Sequence, residues 1–223
     1  MKKRIITLAF ALASVWAWAQ QQAAVAVADT RPDSIMGDFV AQTAQTITGG
    51  GDRAVVWSVQ AVGTYQVGDI GPAGGLIFYD KGQVTDGWRY LEAAPPYTEA
   101  TAQWGAYHKV VPGTGIAVGT GRRNTQTIVD FLQRTGESAR RAAQICDALV
   151  AEGYDDWFLP GKDELNLMYT NLKARGLGEF SSEWYWSSSE NNSNYTWSQW
   201  FGDGGQYHNA KGSKLCVRAI RAF

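Results

Sequence analysis

The hydrophobic pattern begins with the three parts of an export signal. Residues 1–4 are basic at three of four positions, an apolar run follows, and small residues stand at Ala17 and Ala19 before Gln20. This order is typical of a cleaved signal peptide over residues 1–19. A membrane anchor would need roughly 18–20 consecutive apolar residues, more than this run supplies. We therefore expect an exported protein, in the periplasm, at the cell surface or secreted, without a transmembrane anchor after cleavage.

Residues 20–64 contain a lead-in and two predicted elements. The lead-in is rich in Ala, Val and Gln and has no clear period. From Ser34 onward, apolar residues recur at helical spacing up to three glycines at 49–51, which predicts one amphipathic helix. Residues 54–62 are rich in β-branched and aromatic side chains, which predicts a strand. We interpret the two elements as an appendage to the main domain.

The main domain, residues 65–223, changes from strand signals to helix signals and back. Two apolar runs bounded by glycine and proline predict strands, and three later segments have apolar residues at helical spacing. Asn124 is predicted to cap the first helix. Beyond Gly178 the chain is aromatic, rich in Ser, Asn and Gly, and short of helix signals. The predicted strands are residues 76–79 and 88–93, the predicted loop is 105–121, and the helices begin at Asn124, Ser138 and Lys162, the last two ending at Ala151 and Ala174.

Charge and composition narrow the classes of function. Cleavage of the leader would remove three of 20 basic residues and none of 21 acidic residues, leaving a net charge of −4. Phosphate binding needs a clustered basic face, so we expect no nucleic-acid partner. The two histidines, His108 and His208, have no partner at metal-ligand spacing, and phosphate loops and hydrolase triads are absent, so no metal or cofactor is expected. Ten Trp, ten Tyr and 25 Gly suit a loop-rich aromatic core or an aromatic recognition surface.

Four motifs together carry a resemblance to a known family. Residues 156–160 read DWFLP and are followed by Asp163-Glu164-Leu165, residues 185–189 read YWSSS, Trp197 and Phe201 have W-x-x-x-F spacing, and residues 217–221 read VRAIR. In this order they resemble the domain at the C-terminus of Legionella collagen-like proteins, which is related to formylglycine-generating-enzyme-like folds. The resemblance covers residues 65–223. It implies an α+β, C-type-lectin-like fold, with two main helices packed on a small, mostly antiparallel sheet and long irregular loops forming the ligand face.

Structural roles explain much of these motifs. Pro160 ends a strand, and Asp163 and Glu164 are favourably placed at the positive end of the following helix. Arg218 and Arg221 are expected to form structural ion pairs, for instance with Glu164, with anion contacts as the alternative. Three tryptophans are expected in the core rather than in a ligand platform, because a tryptophan within a strand usually buries its ring: Trp157, Trp186 and Trp197.

The segment 187–216 has a narrower resemblance, to the variable segment of proteins diversified by diversity-generating retroelements, especially spirochaete surface proteins of this fold. Randomised adenines in template codons restrict such positions to a small residue set, which contains most polar residues here but neither Trp200 nor Lys211. Recognition loops also favour Tyr, Ser, Asn and Gly, although ordinary loops are rich in them too. Strand alternation puts Ser198 and Trp200 opposite Trp197. The predicted ligand-binding residues are Asn191, Asn192, Ser193, Asn194, Tyr195, Ser198, Trp200, Asp203, Tyr207, His208, Asn209 and Ser213.

The function implied is binding of a protein or glycan ligand without catalysis. Two alternatives stay open: a formylglycine-generating-enzyme-like oxidoreductase that uses cysteine chemistry, and a structural envelope protein without a specific ligand. Lectins of this fold often have a disulfide from the first helix to the last strand, which Cys146 and Cys216 could make. The related family usually has its second cysteine where this chain has Ala219, so a free Cys216 is the alternative.

Overall fold

The protein is described here by a computed structural model that covers residues 64–137 and 139–223, together with the backbone of two earlier strands at 42–49 and 52–59. Contacts divide the chain into two units, one ending at Val62 and the other beginning at Gly63. The predicted signal peptide and the lead-in lie outside the described residues. Across the described part, no helix has both the length and the apolar character needed to cross a membrane.

The first unit contains an antiparallel hairpin of β1 (Gln42–Gly49) and β2 (Asp52–Val59), in register from Gln42 opposite Val59 to Gly49 opposite Asp52. The helix predicted from Ser34 is therefore wrong over 42–48. Half of the residues in β1 are β-branched, three threonines and one isoleucine, and their restricted χ1 angles favour strands. Two glycines follow, as in a tight hairpin. The strand predicted at 54–62 is confirmed through Val59. The remainder of both predictions lies outside the described residues.

The second unit is a mixed α/β domain with two sheets and few helices. One sheet has the antiparallel order β10-β4-β3, and the other has the order β5-β9-β6-β7-β8 with one parallel pairing, between β6 and β9. The strands are β3 (Leu76–Thr85), β4 (Trp88–Ala93), β5 (Ala100–Gln103), β6 (Trp184–Glu190), β7 (Tyr195–Trp200), β8 (Gln206–Ala210), β9 (Lys214–Val217) and β10 (Ile220–Ala222). The helices are α1 (Gly121–Arg134), α2 (Ala142–Asp147) and α3 (Lys162–Asn171), with 3-10 turns at Pro96–Thr98 and Lys173–Arg175.

The predicted strands and helices are present, but all three helices differ from their predicted bounds, the third ending at Asn171 instead of Ala174. Helix α1 begins at Gly121, so Asn124 is not its cap. Asn124 is buried inside the helix, and its amide bonds the backbone of Gly115 and the hydroxyl of Ser188. Helix α2 ends at Asp147, because the chain turns back on itself where Ala151 pairs with Tyr154. Pro160 follows an isolated β-bridge rather than a regular strand.

The core consists of two hydrophobic clusters on opposite sides of β6. Trp186 belongs to the cluster that includes Trp104 and Trp157 and covers the inner faces of α1 and α2. Tyr185, its neighbour in the strand, belongs to the cluster under α3 with Phe201. Successive side chains of a strand point to opposite faces, so one short strand connects both clusters. Trp157 and Trp186 are buried, as expected.

Buried ion pairs join the ends of the domain. Arg218 donates to the Glu99 carboxylate at 2.7 Å and to the backbone carbonyls of Ala94 and Gly178, and Arg221 donates to Asp156 at 2.8 Å and to Glu92 at 3.4 Å. The two arginines are therefore structural, but their partner is not Glu164.

Glu164 has a different role. Its carboxylate is buried at the start of α3 and accepts hydrogen bonds from the amides of Gly119, at 2.8 Å, and Gly161, at 2.5 Å. It thereby ties the loop before α1 to the first turn of α3. Burial raises the pKa of this carboxyl, and the backbone amides oppose the rise.

Candidate ligand-binding surface

The segment predicted to bind ligand folds as the outer hairpin of the five-stranded sheet. Strand β7 pairs with β6 on one side and with the edge strand β8 on the other. The register places Trp184 opposite Trp200 and Ser198 opposite Tyr207. Alternation therefore puts these positions on one face of the hairpin, while Tyr195, Trp197 and their cross-strand neighbours lie on the other.

Three aromatic rings line a shallow depression on the first face, which we call the aromatic pocket. It has a volume of about 480 Å³ and is lined by Trp184, Trp200, Asp203, Tyr207 and Asn209, together with His208, which lies opposite Trp197 in the register and also contacts it. The Trp184 ring lies 5.3 Å from the Trp200 ring at an interplanar angle of 52°, and 5.6 Å from the Tyr207 ring at 80°. Tyr207 is 57% exposed. The pocket thus presents aromatic surface to solvent from three directions.

Glycines in the turn between β7 and β8 allow two of these rings to lie against the backbone. A Cβ added to Gly202 would collide with the indole nitrogen of Trp200, and one added to Gly205 would lie 2.5 Å from the Tyr207 ring. Neither position has a positive φ, so the requirement for glycine here is one of space rather than of backbone conformation. The turn residues therefore determine where the rings of the aromatic pocket stand.

The polar residues of the pocket differ in how far their side chains are already hydrogen-bonded within the protein. Asp203 is exposed, and one of its carboxylate oxygens accepts a hydrogen bond from the Gly205 amide at 2.8 Å. Asn209 donates to the Ser198 hydroxyl at 2.9 Å. Ser198 is buried and also donates to the Tyr207 carbonyl, so the prediction that it contacts ligand is wrong for this structure. Within the described residues, the polar groups of the pocket left for a ligand are Asp203, the Asn209 amide oxygen, the Tyr207 hydroxyl and the His208 ring.

The β6–β7 turn forms a second exposed region, the hairpin tip, made of residues 191–195. The Asn192 side chain is used within the turn, where it accepts from the amides of Asn194 and Tyr195. The Asn194 side chain bonds His108 at 2.8 Å. Tyr195 is 42% exposed. The tip therefore extends to a loop almost ninety positions earlier in the chain.

That earlier loop, residues 104–111, was not included in the predicted site. Tyr107 is 46% exposed and its ring lies 3.9 Å from that of His108. Ala106 and His108 have φ values of 52° and 65°, which non-glycine residues rarely adopt and which often mark functional loops. The sequence signal was weak, because a tyrosine and a histidine in a loop do not reveal which distant turn they contact.

A buried lysine holds this loop in place. Lys211, with no side-chain exposure, forms an ion pair with Glu190 and donates to the Lys109 carbonyl at 2.7 Å. Glu190 in turn accepts from the Val111 amide at 2.9 Å. Burial lowers the pKa of Lys211, while the Glu190 carboxylate opposes that shift. Lys211 thus supports the surface from below instead of contributing to it.

Trp197 lies on the opposite face of the hairpin and is not in the core as predicted. It is partly exposed, and the ammonium group of Lys162 lies 3.8 Å from its ring centroid. His208 contacts its edge, with ring centroids 5.5 Å apart. Farther along β7, α3 packs on this face through Asn166, which accepts a hydrogen bond from the Gln199 amide at 2.9 Å, whereas the contact that α3 makes with the Trp197 ring comes from Lys162.

The predicted ligand-binding residues thus fall into three groups by burial. Trp184 joins them as a pocket residue that the prediction missed, because strand alternation puts it on the same face as Trp186, which is buried in the core. Exposed are Asn191, Asn192, Tyr195, Asp203, Tyr207 and His208; partly buried are Ser193, Asn194, Trp200, Asn209 and Ser213; buried is Ser198.

Both cysteines are free, so the candidate disulfide is not formed. Cys146 is buried against the first hydrophobic cluster, whereas Cys216 packs against the second and lies 3.9 Å from the Ser181 hydroxyl. Burial raises the pKa of both thiols, which disfavours the reactive thiolate. Among residues 64–137 and 139–223, no group of three or more His, Cys, Asp or Glu is placed to hold a metal ion.

Comparison with known proteins assigns the family. No curated protein matches the chain. Among solved structures, a fimbrial protein from Bacteroides ovatus aligns with 85% of this chain at 11% identity and a TM-score of 0.46, and the chain spans 49% of that protein's length. The sequence model of the Lcl C-terminal domain matches residues 93–221, which include the buried arginines, the outer hairpin and the whole five-stranded sheet. Because this match covers more than half of the chain, the protein belongs to the Lcl C-terminal domain family.

Proposed function

We propose that the protein is an exported, non-enzymatic binding module that recognises a protein or glycan ligand through the aromatic pocket and the hairpin tip. The observation that carries this proposal is the aromatic pocket, where three rings and an exposed carboxylate face solvent on an edge hairpin. Exposed aromatic clusters with adaptable polar neighbours are typical of recognition surfaces. Membership of the Lcl family fits an exported or surface protein.

A C-type-lectin-like fold is our proposal for the architecture. Two sheets, an outer hairpin that carries the exposed residues, and long loops between helices are consistent with it. In such a fold the ends of the domain are joined and the loops are displayed outward. The pairing of β10 with β4, which brings the C-terminus beside an early strand, meets the first of these requirements.

Absence of catalysis is part of the same proposal. An oxidoreductase of the formylglycine-generating type would need accessible, activated thiols close together. Here Cys146 and Cys216 pack in different clusters, and burial raises the pKa of each thiol. A structural envelope protein without a specific ligand is the remaining alternative, and it predicts that changes in the aromatic pocket have no effect on binding.

Diversification of the segment 187–216 is a finer part of the proposal. Six of the predicted positions are exposed, which suits residues that vary for recognition. Lysine is outside the residue set that randomised adenines allow, and Lys211 is buried, which suits a fixed position rather than a variable contact residue. Neighbouring DNA tests this point directly: we expect a reverse-transcriptase gene and a near-copy of the last ~100 bases that differs only at adenines. Without both, this part of the proposal falls.

Binding measurements test the proposed function. The leaderless protein is titrated against a panel of immobilised polysaccharides and extracellular proteins, beside a variant with Trp200→Ala and Tyr207→Ala. We expect the variant to lose at least about tenfold in affinity, because each ring is an anchor of the kind that dominates interfaces. Tyr97→Ala is the matched control, since Tyr97 is 70% exposed and bonds Glu152 elsewhere on the domain. Equal binding by all three proteins, or no binding by any, contradicts the proposal.

A further inference from the structure

The shape of the aromatic pocket restricts the group that can occupy it. Its rings meet at steep angles, 52° between Trp184 and Trp200 and 80° between Trp184 and Tyr207, so they do not form one flat platform. A flat ring would contact only one of the three faces at a time. A compact, nearly spherical group of a few heavy atoms can touch all three, as in the aromatic cages that bind alkylated ammonium groups.

The charge of the pocket points to a cation. Its lining contains Asp203 and no lysine or arginine. Asp203 is exposed and forms no ion pair with the side chains of residues 64–137 or 139–223, and its bond to the Gly205 amide holds the carboxylate beside the aromatic rings. The faces of indole and phenol rings are electron-rich, so they and Asp203 attract a positive charge together.

The same chain already uses this contact elsewhere. The ammonium group of Lys81 lies 3.7 Å from the Trp88 ring centroid, and that of Lys162 lies 3.8 Å from the Trp197 ring centroid. The second pair is on the opposite face of the same hairpin. In the aromatic pocket no lining residue is a lysine or arginine, and the two tryptophans, which also contact each other, are partly exposed to a cation from outside.

We infer that the aromatic pocket binds an alkylated ammonium group, of the trimethylammonium type, presented by the ligand, with Trp184, Trp200 and Tyr207 as the walls and Asp203 as the counter-ion. This inference rests on the proposed function and deepens it by naming the chemical group that is recognised. Methyl groups make the cation large enough to reach three rings and weaken its hydration, so less solvation is lost on entry than with a bare ammonium.

Choline and its neutral isostere 3,3-dimethylbutan-1-ol provide the test, because they differ in charge and not in shape. Binding is followed by saturation-transfer NMR and by shifts of the tryptophan indole N–H signals, at constant ionic strength. We expect choline to bind with a dissociation constant on the order of 1 mM, within the limits for so small a ligand. The isostere should bind at least about tenfold more weakly. Equal binding of the two, or no binding of choline, overturns the inference.

Variants locate the binding within the pocket. Tyr207→Leu should weaken choline binding at least about fivefold, and Asp203→Asn at least about threefold. Gly202→Ala should abolish binding, because the new Cβ would displace the Trp200 indole, whereas Gly212→Ala is the matched control because a Cβ there meets nothing within 4 Å. Circular dichroism checks that each variant is folded. If Gly202→Ala and Gly212→Ala bind choline equally, the site lies elsewhere and the inference is wrong.

Competition separates this inference from the proposed function. If a panel ligand binds through Trp200 and Tyr207 and choline competes for it, both are supported. When such a ligand is not displaced by saturating choline, the recognition surface stands and the ammonium inference falls. Choline binding that depends on Gly202 and Asp203 supports the inference even where no panel member binds, and that result would instead contradict the choice of a protein or glycan as the ligand.

Discussion

The two ends of the second unit use polar residues in opposite ways. Where β10 closes against β4, charged groups are buried and paired: Glu92 is fully buried beside Arg221, and Arg218 is 2% exposed against Glu99. On the outer hairpin of β7 and β8, by contrast, the side chains are mostly neutral or exposed. In the turns at the two ends of β7, the side chains of Asn192 and Asp203 accept hydrogen bonds from the backbone of their own turns.

The sequence separation between contacting residues also differs. We call the region of buried ion pairs around β10 the scaffold, and the exposed turns and strands around β7 and β8 the display region. The Arg218–Glu99 contact joins residues 119 positions apart, and Arg221–Glu92 joins residues 129 apart. In the turns at the ends of β7, the Asp203 contact spans two positions and the Asn192 contacts span two and three, whereas Asn194 makes one contact across 86 positions, to His108. Turns that satisfy their own backbone can change sequence without disturbing the rest of the domain. Buried long-range pairs cannot, because each partner left alone is an unpaired buried charge.

Removal of a scaffold charge should give the largest effect. Arg218→Leu would remove the charged partner of Glu99, whose carboxylate would keep the Tyr185 hydroxyl as a donor, and it would remove the donor to the carbonyls of Ala94 and Gly178. It would also remove the guanidinium that lies 4.5 Å from the Phe180 ring. We expect the free energy of unfolding to fall by about 3–5 kcal/mol, as when a buried ion pair loses one partner. Urea denaturation measures it.

A paired variant shows whether the charge itself is responsible. Replacing Glu99 as well, in Arg218→Leu with Glu99→Gln, removes the unpaired carboxylate and should recover part of the loss. If Arg218→Leu alone costs less than about 1 kcal/mol, the closure of the domain does not depend on this pair and the contrast between the two regions is not one of energy.

Sequence patterns anticipated the elements of the second unit better than their contacts. Strands at 76–79 and 88–93 and a helix from Lys162 follow from local spacing, and the structure has them. Local spacing also failed at β1, where apolar positions fit a helical period while β-branched residues and a glycine turn favoured a hairpin. Periodicity cannot distinguish the two in so short a segment.

Pairing between distant residues was beyond the sequence. The arginines at 218 and 221 were expected to form ion pairs, but their partners are decided by which loops the fold brings beside β10, and Glu164 proved to be occupied by backbone amides. Five of the six residues that line the pocket were among the predicted ligand-binding residues, and Trp184 was the one that was missed. Its place depends on the β6–β7 register, which no local signal fixes.

The smallest and most selective effect should come from two lysines three positions apart, where scaffold and display meet. Lys211 is fully buried with Glu190, whereas Lys214 is exposed at the start of β9. Lys211→Met should lower the free energy of unfolding by about 2–4 kcal/mol, less than Arg218→Leu because the lowered pKa of Lys211 shows that desolvation already offsets part of the pair. Lys214→Met should change it by less than about 0.5 kcal/mol.

Hydrogen exchange provides a second measurement. It should rise in residues 105–111 of Lys211→Met but not of Lys214→Met, because Lys211 donates hydrogen bonds to carbonyls of that loop. If Lys214→Met lowered the free energy of unfolding as much as is expected of Lys211→Met, exposed positions of the segment 187–216 would also stabilise the fold, and the aromatic pocket would lie on a surface that cannot vary independently of it. A small effect of Lys211→Met would instead mean that the buried pair does not stabilise the loop.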